Sequence, residues 1–153
     1  MWTDTRGLEG LPLKLLVTAL IVALALPVVF QSLGRYENDL SLSEIRKVAE
    51  RTKSVALSAF LAGPGNIRIL TIPDANWRTK GPLLSLGGSL DDPESLWIDC
   101  LMQGNRTDRV FLGGPHFHII TGDGKRCQVG PGDELRFSCE ISGKSMFVKL
   151  LVS

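Results

Sequence analysis

The sequence predicts an α+β chain: an N-terminal transmembrane helix and an amphipathic helix, followed by a small antiparallel β-sandwich. Three observations carry that expectation. An uncharged apolar run lies near the N-terminus, a helical stripe ends at Gly63-Pro64-Gly65, and short apolar segments separated by glycine-rich turns fill the rest of the chain.

Leu15 to Phe30 holds no charged residue, and Thr18 is its only polar one. Extended through Gln31 and Ser32 to Leu33, the run is about 19 residues, or roughly 28 Å of helix, close to the hydrocarbon thickness of a bilayer. A buried helix of a soluble protein this small would be shorter or polar on one face. Pro27 falls inside the run, where it removes one backbone hydrogen bond that other groups must replace. A cleaved secretory signal is the competing reading, but its apolar region would be about 7–15 residues with a small-x-small site after it. Of that site only Ser32-Leu33-Gly34 is present. Arg6 and Lys14 precede the run while Arg35, Arg46 and Lys47 follow it, so counting positive charges does not fix the topology.

Ser41-Leu42-Ser43-Glu44 has the form of a capping box, with a hydroxyl for the orphan N–H groups and a carboxylate reaching back. Leu42, Ile45, Ala49, Thr52, Ala56 and Ala59 then recur three and four apart, which places them on one helical face. Gly63-Pro64-Gly65 ends that helix. The stripe packs either on its own domain or against neighbouring helices, and its small side chains would suit the second arrangement. These signals, with the N-terminal resemblance described below supplying a leader at 1–7, divide the chain into that leader, a membrane-spanning helix 8–36, an amphipathic helix 40–62 and a β-rich head 66–153.

Eight strands are expected in the head: Asn66–Ile72, Pro82–Leu86, Leu96–Met102, Arg109–Leu112, Phe117–Thr121, Arg126–Val129, Glu134–Cys139 and Met146–Val152. Alternation is clearest in Ile67-Arg68-Ile69-Leu70-Thr71-Ile72 and in Leu135-Arg136-Phe137-Ser138-Cys139. Gly87-Gly88, Gly113-Gly114, Gly122-Asp123-Gly124 and Gly130-Pro131-Gly132 provide the turns. Such a head leaves roughly 90 residues for its core, and a domain that small stays marginal unless stapled or assembled.

Among 153 residues the net charge is +1, without the basic excess of a dedicated nucleic-acid binder. No Ser/His/Asp constellation, phosphate loop or paired catalytic carboxylates stand out, and the Asp91-Asp92-Pro93 stretch reads as a solvated turn. No enzymatic activity and no cofactor are therefore expected. Cys127 and Cys139 fall on consecutive predicted strands, about 12 residues apart, so a bridge closing that loop would add roughly 3 kcal/mol. Cys100 could instead pair with either, and three free buried thiols are the remaining alternative. His116 and His118 share one face of a strand, with Cys127 as a third metal ligand, but no carboxylate or CxxC supports a metal centre there. Asn105-Arg106-Thr107 is a glycosylation sequon in what reads as a polar loop.

The chain opens Met1-Trp2-Thr3-Asp4-Thr5-Arg6-Gly7-Leu8-Glu9-Gly10-Leu11-Pro12-Leu13 ahead of the apolar run. A short polar leader ending in Arg-Gly resembles the class III signal peptide of archaeal type IV pilin-like proteins. Gly63 to Pro73, Leu84 to Gly88 and Ser142 to Val148 also look like segments of small pilin-like proteins of that kind. The resemblance implies cleavage between Gly7 and Leu8 by a membrane leader peptidase acting at Arg6-Gly7. The helix would stay on the mature protein, first as a lipid anchor and then as the core of a filament. The glutamate five residues into the mature bacterial chains is replaced here by Pro12, and Gly10-Leu11 offers a second cut. The expected function is that of a filament subunit or minor component. Its partners would be membrane lipid and like subunits or other filament-system proteins, and it would be a single-pass protein of the cell membrane with its head outside the cytoplasm, or part of a surface filament. A permanently anchored, stator-like accessory protein of the archaellum is the alternative, and an anchored metal-binding domain a third.

Overall fold

The computed structural model describes residues 6–74, 81–113 and 117–153, with side chains from residue 12 onward. One helix, α1 (Arg6–Leu61), precedes eight strands: β1 (Ile67–Thr71), β2 (Leu84–Leu86), β3 (Trp97–Met102), β4 (Asn105–Phe111), β5 (Ile119–Thr121), β6 (Cys127–Val129), β7 (Glu134–Ser142) and β8 (Ser145–Val152). The chain divides into two compact units, Met1–Asp39 and Leu40–Ser153.

The two expected helices are a single element. Gly34 stays inside α1, as do Pro12 and Pro27, and the Ser41–Glu44 segment continues the helix rather than starting one. The reason is local: Arg35-Tyr36-Glu37-Asn38-Asp39-Leu40 contains no breaker, and one glycine costs a helix only about 1 kcal/mol. The C-terminal stop is as expected. Ala62 N–H still reaches Ser58 O, Gly63 takes a φ of 84° that an L side chain resists, and the Asn66 side-chain amide caps Ala62 O at 2.6 Å. Gly65 N–H then donates to Cys139 O, and Cys139 N–H donates to Asn66 O, so the ladder with β7 starts immediately.

In the Leu40–Ser153 unit, Ile45, Ala49, Thr52, Ala56 and Ala59 are completely buried, and Leu42 is half-buried. Ile45, Ala49, Ala56 and Ala59 share one hydrophobic cluster with Leu70, Phe137 and Leu150 of one sheet and Leu84, Ile98 and Val110 of the other. The stripe is thus covered by the chain's own strands. Thr52 enters this core because its hydroxyl donates to Val48 O at 2.8 Å, leaving no orphan donor.

All eight expected strands form, in two four-stranded sheets ordered β1-β7-β8-β5 and β4-β3-β2-β6. The pairing is antiparallel except for β5, which runs parallel to β8 with Ile119 opposite Val148. This departs from the expected all-antiparallel arrangement. β5 belongs to one sheet, while β4 before it and β6 after it belong to the other, so no hairpin dictates its direction. β4 starts four residues earlier than expected. Gln103 (φ 53°) and Gly104 (φ 78°) make a two-residue turn, which brings the polar segment from Asn105 into register with β3. Gly87, at φ 85°, passes close to Thr121, where a Cβ would lie 2.7 Å from Thr121 Cγ2.

Because the stripe is core, Ala56→Arg should destabilise a fragment starting at Leu40 by about 3 kcal/mol or more, through an unpaired buried charge. Thermal unfolding of that fragment, with and without the substitution, measures it; an unchanged melting temperature would contradict the buried position.

Candidate functional site: an apolar helix and an arginine-rich sheet face

In the Met1–Asp39 unit the apolar side chains of α1 stand outward. Leu24 is 68% exposed and Phe30 66%, and Leu15, Leu16, Leu20, Ile21, Val28 and Leu33 are comparably bare. The helix is long and apolar enough to cross a membrane. The hydroxyls in this stretch are satisfied within it: Thr18 donates to Lys14 O and Ser32 to Val29 O, both at 2.8 Å. The backbone of Arg6, Gly7 and Leu8 forms the first turn of α1, and residues 1–5 lie outside the described residues.

The second concentration of chemistry lies on the β4-β3-β2-β6 sheet. Strand alternation sends Ile98 and Cys100 into the core, so Trp97 and Asp99 take the opposite face. Asp99 is nevertheless almost inaccessible, its side chain only 8% exposed. Arg109, its cross-strand partner, donates from Nε at 2.7 Å, and Arg126 approaches at 3.1 Å. Glu94 also pairs with Arg109, and Arg106 stands 3.8 Å from both carboxylates. Arg126 donates further to the carbonyls of Glu94 and Ser85, each at 2.5 Å. Arg109 also lies over the Trp97 ring, 5.1 Å from its centroid, and Trp97 contacts Phe111 at 4.9 Å. Burial opposes the Arg109 charge, but Asp99 and Glu94 outweigh it and raise its pKa. Three guanidiniums around two carboxylates make a structural latch with one net positive charge, and its most exposed member is Arg106.

This network was not singled out from the sequence. The available signal was a lone carboxylate within Leu96-Trp97-Ile98-Asp99-Cys100-Leu101-Met102, since a charge there requires a partner. The Asp91-Asp92 turn likewise has a definite role: Asp92 Oδ1 accepts from Glu94 N–H at 2.9 Å and starts a short 3₁₀ turn, Pro93–Leu96.

Cys100, Cys127 and Cys139 are all free, so the expected Cys127–Cys139 bridge is not formed. The two residues are consecutive in strand order but sit in different sheets, Cys127 on β6 and Cys139 on β7. Burial, helped by Asp108, pushes the Cys100 thiol up to about 11, and burial also raises Cys127 and Cys139. His116 lies outside the described residues. His118 meets Ser95 Oγ at 2.7 Å through Nδ1, and among the described residues no three His, Cys, Asp or Glu side chains gather as a metal set. Asn105 is exposed at the start of β4, not in a loop, and Thr107 donates to Cys100 O at 3.2 Å. Comparison of the chain with protein-family models, curated proteins and solved structures gives no match.

Two expectations follow. Removing Asp99 (Asp99→Ala) takes the most buried anion away from Arg109 and Arg126, which keep Glu94 and the carbonyls of Glu94 and Ser85, and should cost about 1.5–3 kcal/mol in chemical denaturation, whereas Arg106→Ala should change stability by less than about 1 kcal/mol. The Cys100 thiol holds its proton more tightly when folded, so its contribution is fully present below pH 9 and is lost as pH rises through about 11. Cys100→Ala should be less stable at pH 7 yet show a flatter stability profile between those pH values.

Proposed function

We propose that this chain is a single-pass membrane protein of pilin-like architecture, a non-enzymatic subunit or minor component of an archaeal type IV filament system with its head outside the cytoplasm. The carrying observation is the contrast along α1. The apolar side chains before Asp39 are exposed, and the stripe after Leu40 is sealed in a β core. Such an extended bare surface in water would drive association, so it calls for a nonpolar environment, either lipid or a bundle of like helices. Lipid contacts would be exchanged for helix contacts on assembly, and the two sheets would form a sandwich head facing water. The Arg6-Gly7-Leu8 leader junction supports the pilin-like form of this reading.

A second reading is a permanently anchored accessory protein, stator-like in role, and the burial of the Ile45–Ala59 stripe favours it. A stripe committed to its own core is not offered to neighbours, which leaves only the apolar half of α1 for assembly.

The deciding measurement is the intact mass of the membrane-extracted protein. Leader processing predicts a chain starting at Leu8 that still carries Leu15 to Phe30. Retention of Met1 would select the permanently anchored protein, and a start near Gly34 would discard both readings.

A further inference from the structure

A pocket of about 420 Å³ lies in the Leu40–Ser153 unit. Among the described residues it is lined by Phe60 of α1, Leu90, His118 just before β5, and Lys144, Ser145 and Met146 of the β7–β8 turn and the start of β8. Its volume falls in the range of about 300–1,000 Å³ typical of small-molecule sites, and it combines apolar walls with few polar groups. Phe60 is held in place by its contact with Phe117, ring centroids 5.1 Å apart.

The hydrogen bonds behind His118 define what the ring offers. Ser95 is completely buried, and its Oγ lies 2.6 Å from Asp92 O, an atom that can only accept. The single hydroxyl proton is committed there, so Ser95 Oγ must accept from His118 Nδ1 at 2.7 Å. The neutral ring therefore carries its proton on Nδ1 and keeps a lone pair on Nε2. His118 is pinned by a buried partner, with one acceptor left for a donor. Lys144 is exposed in the hairpin turn and brings the only charge among the described lining residues.

From this combination we infer that the pocket binds a small organic acid with an apolar body and a hydroxyl group. The carboxylate pairs with Lys144, the body lies against Phe60, Leu90 and Met146, and the hydroxyl donates to His118 Nε2. A carboxylate fits the sign of the lining, while a cation would meet Lys144 without compensation. The inference is independent of the filament reading, because it rests only on side chains of the head.

The test uses the full chain in nanodiscs with 4-hydroxyphenylpropanoate as the probe, following the ring protons of His118 by NMR. The chain has two histidines, and His118→Asn assigns the signal. A saturable shift is expected. Binding should weaken at least ten-fold for the neutral amide of the same probe and in Lys144→Glu, and several-fold for 3-phenylpropanoate, which lacks the hydroxyl. An exposed turn residue should leave the melting temperature unchanged. Should Lys144→Glu not fold, the acid-against-amide comparison on the unaltered chain decides by itself. Absence of a saturable shift, or equal affinity for acid and amide, overturns the inference.

Discussion

The head depends on a close approach between one helix face and two sheets. Ala49, Ala56 and Ala59 are completely buried in the cluster that also holds Phe137, Ile98 and Leu84. Alanine at these positions lets the helix backbone lie near the strands, and Ile45 and Val48 extend the same cluster toward the middle of α1. Neither sheet is wide: β2, β5 and β6 have only three residues each. Strands that short bury little surface between themselves, and a domain of this size is marginal without reinforcement. The C-terminal half of α1 supplies it. It supplies the reinforcement that a disulfide gives many small domains, which explains how three free thiols are compatible with an ordered head.

Most of the architecture was legible because it is written in periodicity. All eight strands were visible from alternation and glycine turns, and the stripe from Leu42 to Ala59 from its three-four spacing. What misled was local punctuation. Ser41-Leu42-Ser43-Glu44 has the chemistry of a helix start, but a cap acts only where the preceding residues leave the helix, and nothing in Arg35 to Leu40 makes them leave. The early start of β4 was hidden for the opposite reason. Asn105-Arg106-Thr107-Asp108 has loop composition, and it becomes a strand because β4 lies at a sheet edge where polar side chains are tolerated.

Contacts between segments distant in sequence were the illegible part. Asp99, Arg109 and Arg126 meet only once β3 is flanked on one side by β4 and, through β2, by β6 on the other. The pairing of Ser95 with His118 spans 23 residues and joins the 3₁₀ turn ahead of β3 to the residue just before β5. The sequence placed His118 beside His116 as a metal candidate. The fold instead gives its Nδ1 to a serine and thereby selects the tautomer. The Cys127–Cys139 bridge is not formed either, and the strand order along the chain did not reveal that the two residues sit in different sheets, because β5, β6 and β7 alternate between sheets.

The two halves of α1 differ in what covers them: apolar side chains stand exposed before Asp39 and are packed on strands after Leu40. From Leu15 to Phe30, side chains are apolar around the whole helix, and the Thr18 and Ser32 hydroxyls donate to carbonyls of the preceding turn; such a surface suits surroundings without water. After Leu40 the polar face returns, and Arg46 reaches Asp108 of β4 at 3.1 Å, an exposed pair that is worth little in energy but is typical of a wetted surface. A helix uniform in either character would give a buried span or a soluble bundle. The change of character partway along it matches a helix long and apolar enough at one end to cross a membrane and folded into a β core at the other. The head's own inaccessible carboxylate, Asp99, is by contrast neutralised within the fold by Arg109 and Arg126.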